Sequence, residues 1–252
     1  MHRCAIAIGV MAGTAPLALS GVVTLDFQTE DDLISPLVNG EVVSSPSKFG
    51  EMVAINGFGA HNMGAAIFNS SFKGPNTLGP DPDLLVGLGN ILILQSPDHP
   101  TQSVAGVFDT PDDAAKGGTF VFNFMDPVEL MEITLIDIDA GNHTLVTLLD
   151  TSGRSRIYNV PQHWTKDRHS EGLNGYQVLD LTTLASQLGE GGATATAFED
   201  AGFDATSVRF FSIEMTGSGG VDNLTFVSVP TPGAALLLGA GGLSGLRRRR
   251  RV

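Results

Sequence analysis

Short runs in which apolar and polar residues alternate with period two recur along most of this chain, broken by Gly, Pro, Asn and Asp. Successive side chains of a strand point to opposite faces, so such alternation marks strands with one buried face. The pattern predicts strands over residues 22–27, 51–56 and 65–69, then 119–124, 131–139, 143–150 and 154–160, and finally 207–215 and 221–229. In the fourth of these, Phe120, Phe122 and Phe124 fall on one face. Residues 91–95 form a continuous apolar run, which suits a strand buried on both faces. The turns at 139–142 and 151–153 are short enough to predict a three-stranded meander over 131–160.

Between these strands lie two turn-rich loops, 73–89 and 96–118, and the low-complexity stretch 190–197, which reads as flexible. A helix is predicted over 181–188, where Leu181, Leu184, Ala185 and Leu188 recur at helical spacing, with Asp180 as N-cap and Gly189 to end it. Many short strands, long loops and one short helix predict an all-β chain, an antiparallel β-sandwich of jelly-roll type. No repeat of 20–50 residues is visible, which argues against a solenoid or propeller.

The two ends of the chain differ from its middle. Residues 1–3 supply a small basic start, 5–18 an apolar Gly- and Ala-rich run, and Ala18-Leu19-Ser20 the small residues of a signal-peptidase cleavage site. Residues 1–20 therefore read as a secretory signal peptide, handled by the Sec machinery and signal peptidase. Lone Cys4 falls within it, so the exported part has no disulfide, no thiolate nucleophile and no cysteine-based zinc site. At the other end, residues 233–246 carry no charged side chain and would span about 21 Å as a helix. Arg247, Arg248, Arg249, Arg250 and Arg251 follow, a cluster that stops translocation and holds the end in the cytoplasm. Between them, residues 21–229 carry 8 basic against 27 acidic side chains, a net charge of −19. Such a field repels nucleic acid and anionic polymers, and favours divalent cations or plain solubility outside the cell.

The terminal segment Val229, Pro230, Thr231 and Pro232, the apolar helix after it and the arginine cluster together resemble a PEP-CTERM sorting signal. Thr231 stands where that family usually has glutamate. The resemblance implies an exported protein of an exopolysaccharide-producing bacterium, held at the membrane until an exosortase-type transpeptidase cuts near the prolines and passes the ectodomain, residues 21–228, to the cell envelope or extracellular matrix. The segments 25–27, 66–68, 81–83, 136–139 and 221–225 resemble ectodomains found upstream of such tails. They are also similar to carbohydrate-binding-type jelly rolls, whose first and last strands lie side by side.

Candidate chemistry is sparse. Asp26 and Asp222, with Glu30, Asp31 and backbone carbonyls, could form a hard-oxygen cage for calcium if the first and last strands pair. The loops carrying Asp81 and Asp83, and Asp109, Asp112 and Asp113, offer a second acidic grouping without EF-hand spacing. Asp137 and Asp139 are expected on one face of their strand, as paired carboxylates would be. Trp164, Asp167 and Arg168 form a glycan-binding candidate, a sugar stacking on the indole while the charged groups hold its hydroxyls. The chain has no Gly-x-Ser-x-Gly elbow, no His-Glu-x-x-His and no phosphate loop. The expectation is a non-enzymatic envelope or matrix protein that either binds glycan, with exopolysaccharide the candidate partner, or simply contributes to the extracellular coat; the alternative is a secreted hydrolase acting on matrix polysaccharide.

Overall fold

A computed structural model describes residues 21–228 apart from 31–33, 44–47, 51, 60–62, 140 and 167–173. The expected leader and the tail from Val229 to Val252, sorting motif and arginines included, lie outside the described residues, as do Asp31, Asp167 and Arg168. Among the described residues no helix is long and apolar enough to cross a membrane.

The described residues are all-β, with thirteen strands in one large antiparallel sheet. The sheet is organised by its longest strand, β6 (Gly118–Ile136), which serves two neighbourhoods. Its first half pairs with β12 (Val208–Met215) on one side and β3 (Val53–Gly59) on the other. Its second half pairs with β13 (Gly220–Ser228) and β9 (Tyr176–Asp180). The change falls around Asp126-Pro127, where β12 passes from partner Val128 to partner Asn123 between Val208 and Phe210. Pro127 has no N–H to give a ladder, so a strand bends there at little cost. Beyond β12 the first half continues through β7 (Thr144–Asp150), β8 (Ser155–Val160), β11 (Thr194–Glu199) and β10 (Gln187–Leu188). Beyond β13 the second continues through β5 (Asn90–Leu94), β4 (Ala65–Asn69) and β2 (Val42–Val43), while β1 (Val22–Leu25) also pairs with β13. The arrangement is consistent with a β-sandwich.

One apolar core joins inward faces from both halves: Phe120, Phe122, Phe211 and Ile213 with Leu92, Leu94, Val221 and Leu224. The alternating phenylalanines do face it together, Phe122 lying 5.4 Å from Phe211 and Phe124 5.1 Å from Phe226. Strand β5 is buried on both faces, as its unbroken apolar run predicts. Leu92 and Leu94 enter the main core, whereas Ile91 and Ile93 meet Leu84, Val86 and Phe108 from the two long loops.

Several expectations fail. The segment 181–188 is not a helix: after Leu181 the chain turns, then forms β10. Leu184 and Leu188 are 46 % and 68 % exposed, so the apolar stripe has no face to bury. Instead Asp180 accepts hydrogen bonds from Thr182 N–H and Oγ–H, and Thr183 Oγ accepts one from Ala185 N–H. Such local bonds compete with a helix, and two adjacent β-branched threonines disfavour one further. The second half of the low-complexity stretch 190–197 is strand, the start of β11, held on β8 by a register from Thr196↔Asn159 to Glu199↔Arg156. The meander holds only for β7 and β8; β12 lies between β7 and β6, because the second half of β6 belongs to the other neighbourhood.

Candidate functional site

Two groups of carboxylates flank β13. The first gathers at its N-terminal end. The segment 112–114 lies along the end of β5, with Ser96 N–H donating to Asp112 O (2.8 Å) and Ala114 N–H to Leu94 O (2.8 Å). Buried Gln95 fixes this arrangement by donating to His99 O at 3.0 Å and to Ser96 O and Thr110 O at 3.3 Å. Oxygen atoms of Asp81, Asp112 and Asp113 then come within 4.8 Å of one another. Asp113, 5 % exposed, accepts a hydrogen bond from Gly219 N–H. Asp137 Oδ2 accepts from Ser218 Oγ–H at 3.1 Å, while Asn142 Nδ2 donates to Asp137 O (3.3 Å) and to Ser218 O. The turn between β12 and β13 is thus tied down by two acids.

Burial pushes Asp113 well above the ordinary carboxylate range, and Asp81, within hydrogen-bond reach, pushes it further. Asp137 is pushed up to about 8, by burial first and then by the charges of Asp139, Asp81 and Asp83. Asp112 is also raised, chiefly by burial and Asp81. The two acidic loops, separate along the chain, therefore meet at one place. Sequence reasoning missed that Asp137 and the turn at 217–220 join them; the signal was Gly217-Ser-Gly-Gly220, whose small residues admit close approach of a carboxyl. Asp137 and Asp139 do not form a pair on a strand face. Strand β6 ends at Ile136, Asp137 has φ 60°, and Ile138 between them enters the core.

The second group lies where β13 changes neighbours. Gly220 and Val221 pair with Ile93 and Leu92 of β5, whereas Leu224 to Val227 pair with Leu25 to Val22 of β1. Asp222 and Asn223 occupy the gap between. Asn223 has φ 50° and acts as an extra residue, so that Val221 and Leu224, three apart, both face the core. Asp222 consequently lies on the opposite face from Val221. It is the third residue of β13 and only 1 % exposed. Its Oδ2 accepts from Asn223 Nδ2 at 3.0 Å, and its Oδ1 has no hydrogen-bond partner. Burial pushes the carboxyl up to about 8, and the negative charge of Asp26 adds to this. Asp26 follows β1 directly; its Oδ1 accepts from Gln28 N–H at 3.0 Å. Gln28 and Asn90 stitch the end of β1 to the start of β5, Gln28 Nε2 donating to Asn90 O at 3.0 Å and Asn90 Nδ2 to Leu37 O at 2.9 Å. The terminal strands thus bring Asp26 and Asp222 together. Glu30 is taken by Lys48 (2.8 Å).

Trp164 is not a sugar platform. It is fully buried in the main core, with Nε1–H donating to Gln187 O at 3.3 Å, and a β-carbon at Gly189 would collide with its ring and carbonyl. A large aromatic next to charged residues looks like a binding loop in sequence, but burying that area is worth more to the fold than exposing it.

No known protein family, curated protein or solved structure matches this chain.

Proposed function

We propose that the chain is an exported, non-enzymatic protein of the cell envelope or extracellular matrix, a jelly-roll-like β-sandwich delivered by the Sec machinery and released by an exosortase-type transpeptidase acting near Val229–Pro232. The observation that carries this reading is the pairing of the first and last strands: Val22 lies opposite Val227, and Ser228 N–H donates to Gly21 O at 3.4 Å. The ectodomain begins and ends at one point. The Asp81–Asp112–Asp113 group gathers at the other end of β13, about 27 Å along the strand from that point. That end, not Trp164, is the face offered to exopolysaccharide.

A secreted hydrolase is the second reading, favoured by Asp113 and Asp137, whose carboxyls burial pushes upward, the direction a general acid needs. Both are buried and spend their oxygens on Gly219 and Ser218, which supports anchoring over catalysis. Intact mass of the protein recovered outside the producing cell tests the proposal. The expected species starts near Gly21 and ends near Pro232; an extracellular species that retains Val252 overturns it. Replacing the five arginines with serine should leave the chain unprocessed.

A further inference from the structure

We infer that the notch between β1, β5 and β13 binds one hard divalent cation, Ca²⁺, with Asp222 Oδ1 as its central ligand and Asp26 as the second carboxylate. The inference stands apart from export and sorting, since it rests only on the packed domain.

Its starting point is an orphan atom. Buried polar groups in folded proteins are almost always hydrogen-bonded, and a buried carboxylate oxygen without a donor is costly. Asp222 Oδ1 is such an atom: the residue is 1 % exposed, its other oxygen is held by Asn223, and the charge acting on it is the like charge of Asp26. A bound cation would answer both defects at once, supplying the missing partner and cancelling the repulsion. The fold aims the group deliberately. If Asn223 were in ordinary extended conformation, alternation would put Asp222 on the opposite face from Val221 but would send Leu224 there as well; the left-handed Asn223 keeps both core residues inside and leaves Asp222 alone on its side. Across the gap, Phe27 is also left-handed (φ 55°), turning the chain sharply just after Asp26.

The donors within this notch choose the ion. Asp222, Asp26 and the carbonyl groups of a turned backbone are all hard oxygen ligands, which suit Ca²⁺ or Mg²⁺ and not a thiophilic metal. Ligands drawn from the end of β1 and the start of β13 would give an irregular cage. Ca²⁺ accepts six to eight oxygens in such a cage, whereas Mg²⁺ demands near-octahedral geometry and keeps its waters. An ion here would join the first strand to the last across the point where β13 passes from one neighbour to the other.

Equilibrium dialysis of the full-length chain in non-ionic detergent against radioactive calcium, with melting followed by circular dichroism, tests this. The expected result is one tightly held ion per chain, retained in excess Mg²⁺, and a melting temperature raised by roughly 5–10 °C at a hundredfold excess over Kd. Asp222→Asn should lose the ion and the shift. Asp26→Asn changes an exposed side chain, leaves the core intact and should weaken binding by about tenfold or more; it decides the matter if Asp222→Asn does not fold. Asp112→Asn, in the other acidic group, should bind as the parent does. No binding by the parent overturns the inference. So does parent-like binding by Asp26→Asn, or loss of the ion in Asp112→Asn in its place.

Discussion

Replacing Asp137 with asparagine should stabilise the protein, and by an amount that depends on pH. In the fold its carboxyl is pushed from 3.8 to about 8, first by burial and then by Asp139, Asp81 and Asp83, against the opposing hydrogen bond from Ser218. In the unfolded chain the same group ionises near 3.8. Between these values the native state holds a proton that the unfolded state has released, so stability falls as pH rises, by about 1.4 kcal/mol per pH unit. At pH 7 the penalty is on the order of 4 kcal/mol, and at pH 5 it is under about 2 kcal/mol. Asparagine cannot ionise, keeps a carbonyl oxygen for Ser218 Oγ–H, and tolerates the φ of 60° better than most residues. Urea unfolding of parent and Asp137→Asn at pH 5, 6, 7 and 8 measures the effect. The gain should widen by about 3 kcal/mol between pH 5 and pH 7. Asp113, also raised, is present in both chains and largely cancels in the difference. A gain that is constant across this range, or a loss of stability at pH 7, refutes the assignment of a proton to Asp137.

Two further outcomes follow from the packing. Arg156, almost fully buried, donates from Nε to Glu199 at 2.7 Å and from Nη1 to Leu181 O at 2.8 Å, and stacks 4.9 Å from the Phe203 ring; Arg156→Met should cost about 2–3 kcal/mol in chemical denaturation, since it strands a carbonyl and loosens the β8–β11 edge. Gly189→Ala should cost about 1–3 kcal/mol by driving a methyl group into Trp164, and the single tryptophan reports it directly: in the parent its emission should be that of a buried indole, unmoved by iodide or by added oligosaccharide, and in the variant it should shift toward the red.

The alternation of apolar and polar residues settled what could be settled locally. It placed most of the strands that pack against the core, the triple phenylalanine face of β6 and the doubly buried β5, because burial leaves its mark on every residue of a long strand; it missed β2, β9 and β11, which give the main core only Val43, Leu179 and Ala195 among its fully buried residues. The readings of the two ends of the chain rest on composition alone, since both lie outside the described residues. Partnership was not legible. Nothing local tells β6 to serve two neighbourhoods, or β12 to slip between β6 and β7; those choices depend on which long-range pairings bury the most surface together. The false helix over 181–188 shows the same limit, for its periodicity is real but the fold supplies no surface to bury it. Trp164 was misread because a side chain's exposure is decided by what covers it, here Gly189 and the core. The meeting of Asp26 with Asp222 was conditional on one pairing, which the antiparallel register of β1 on β13 supplies. That Asp222 is buried with an oxygen left over was decided by a single left-handed residue, Asn223, whose conformation only the assembled sheet imposes.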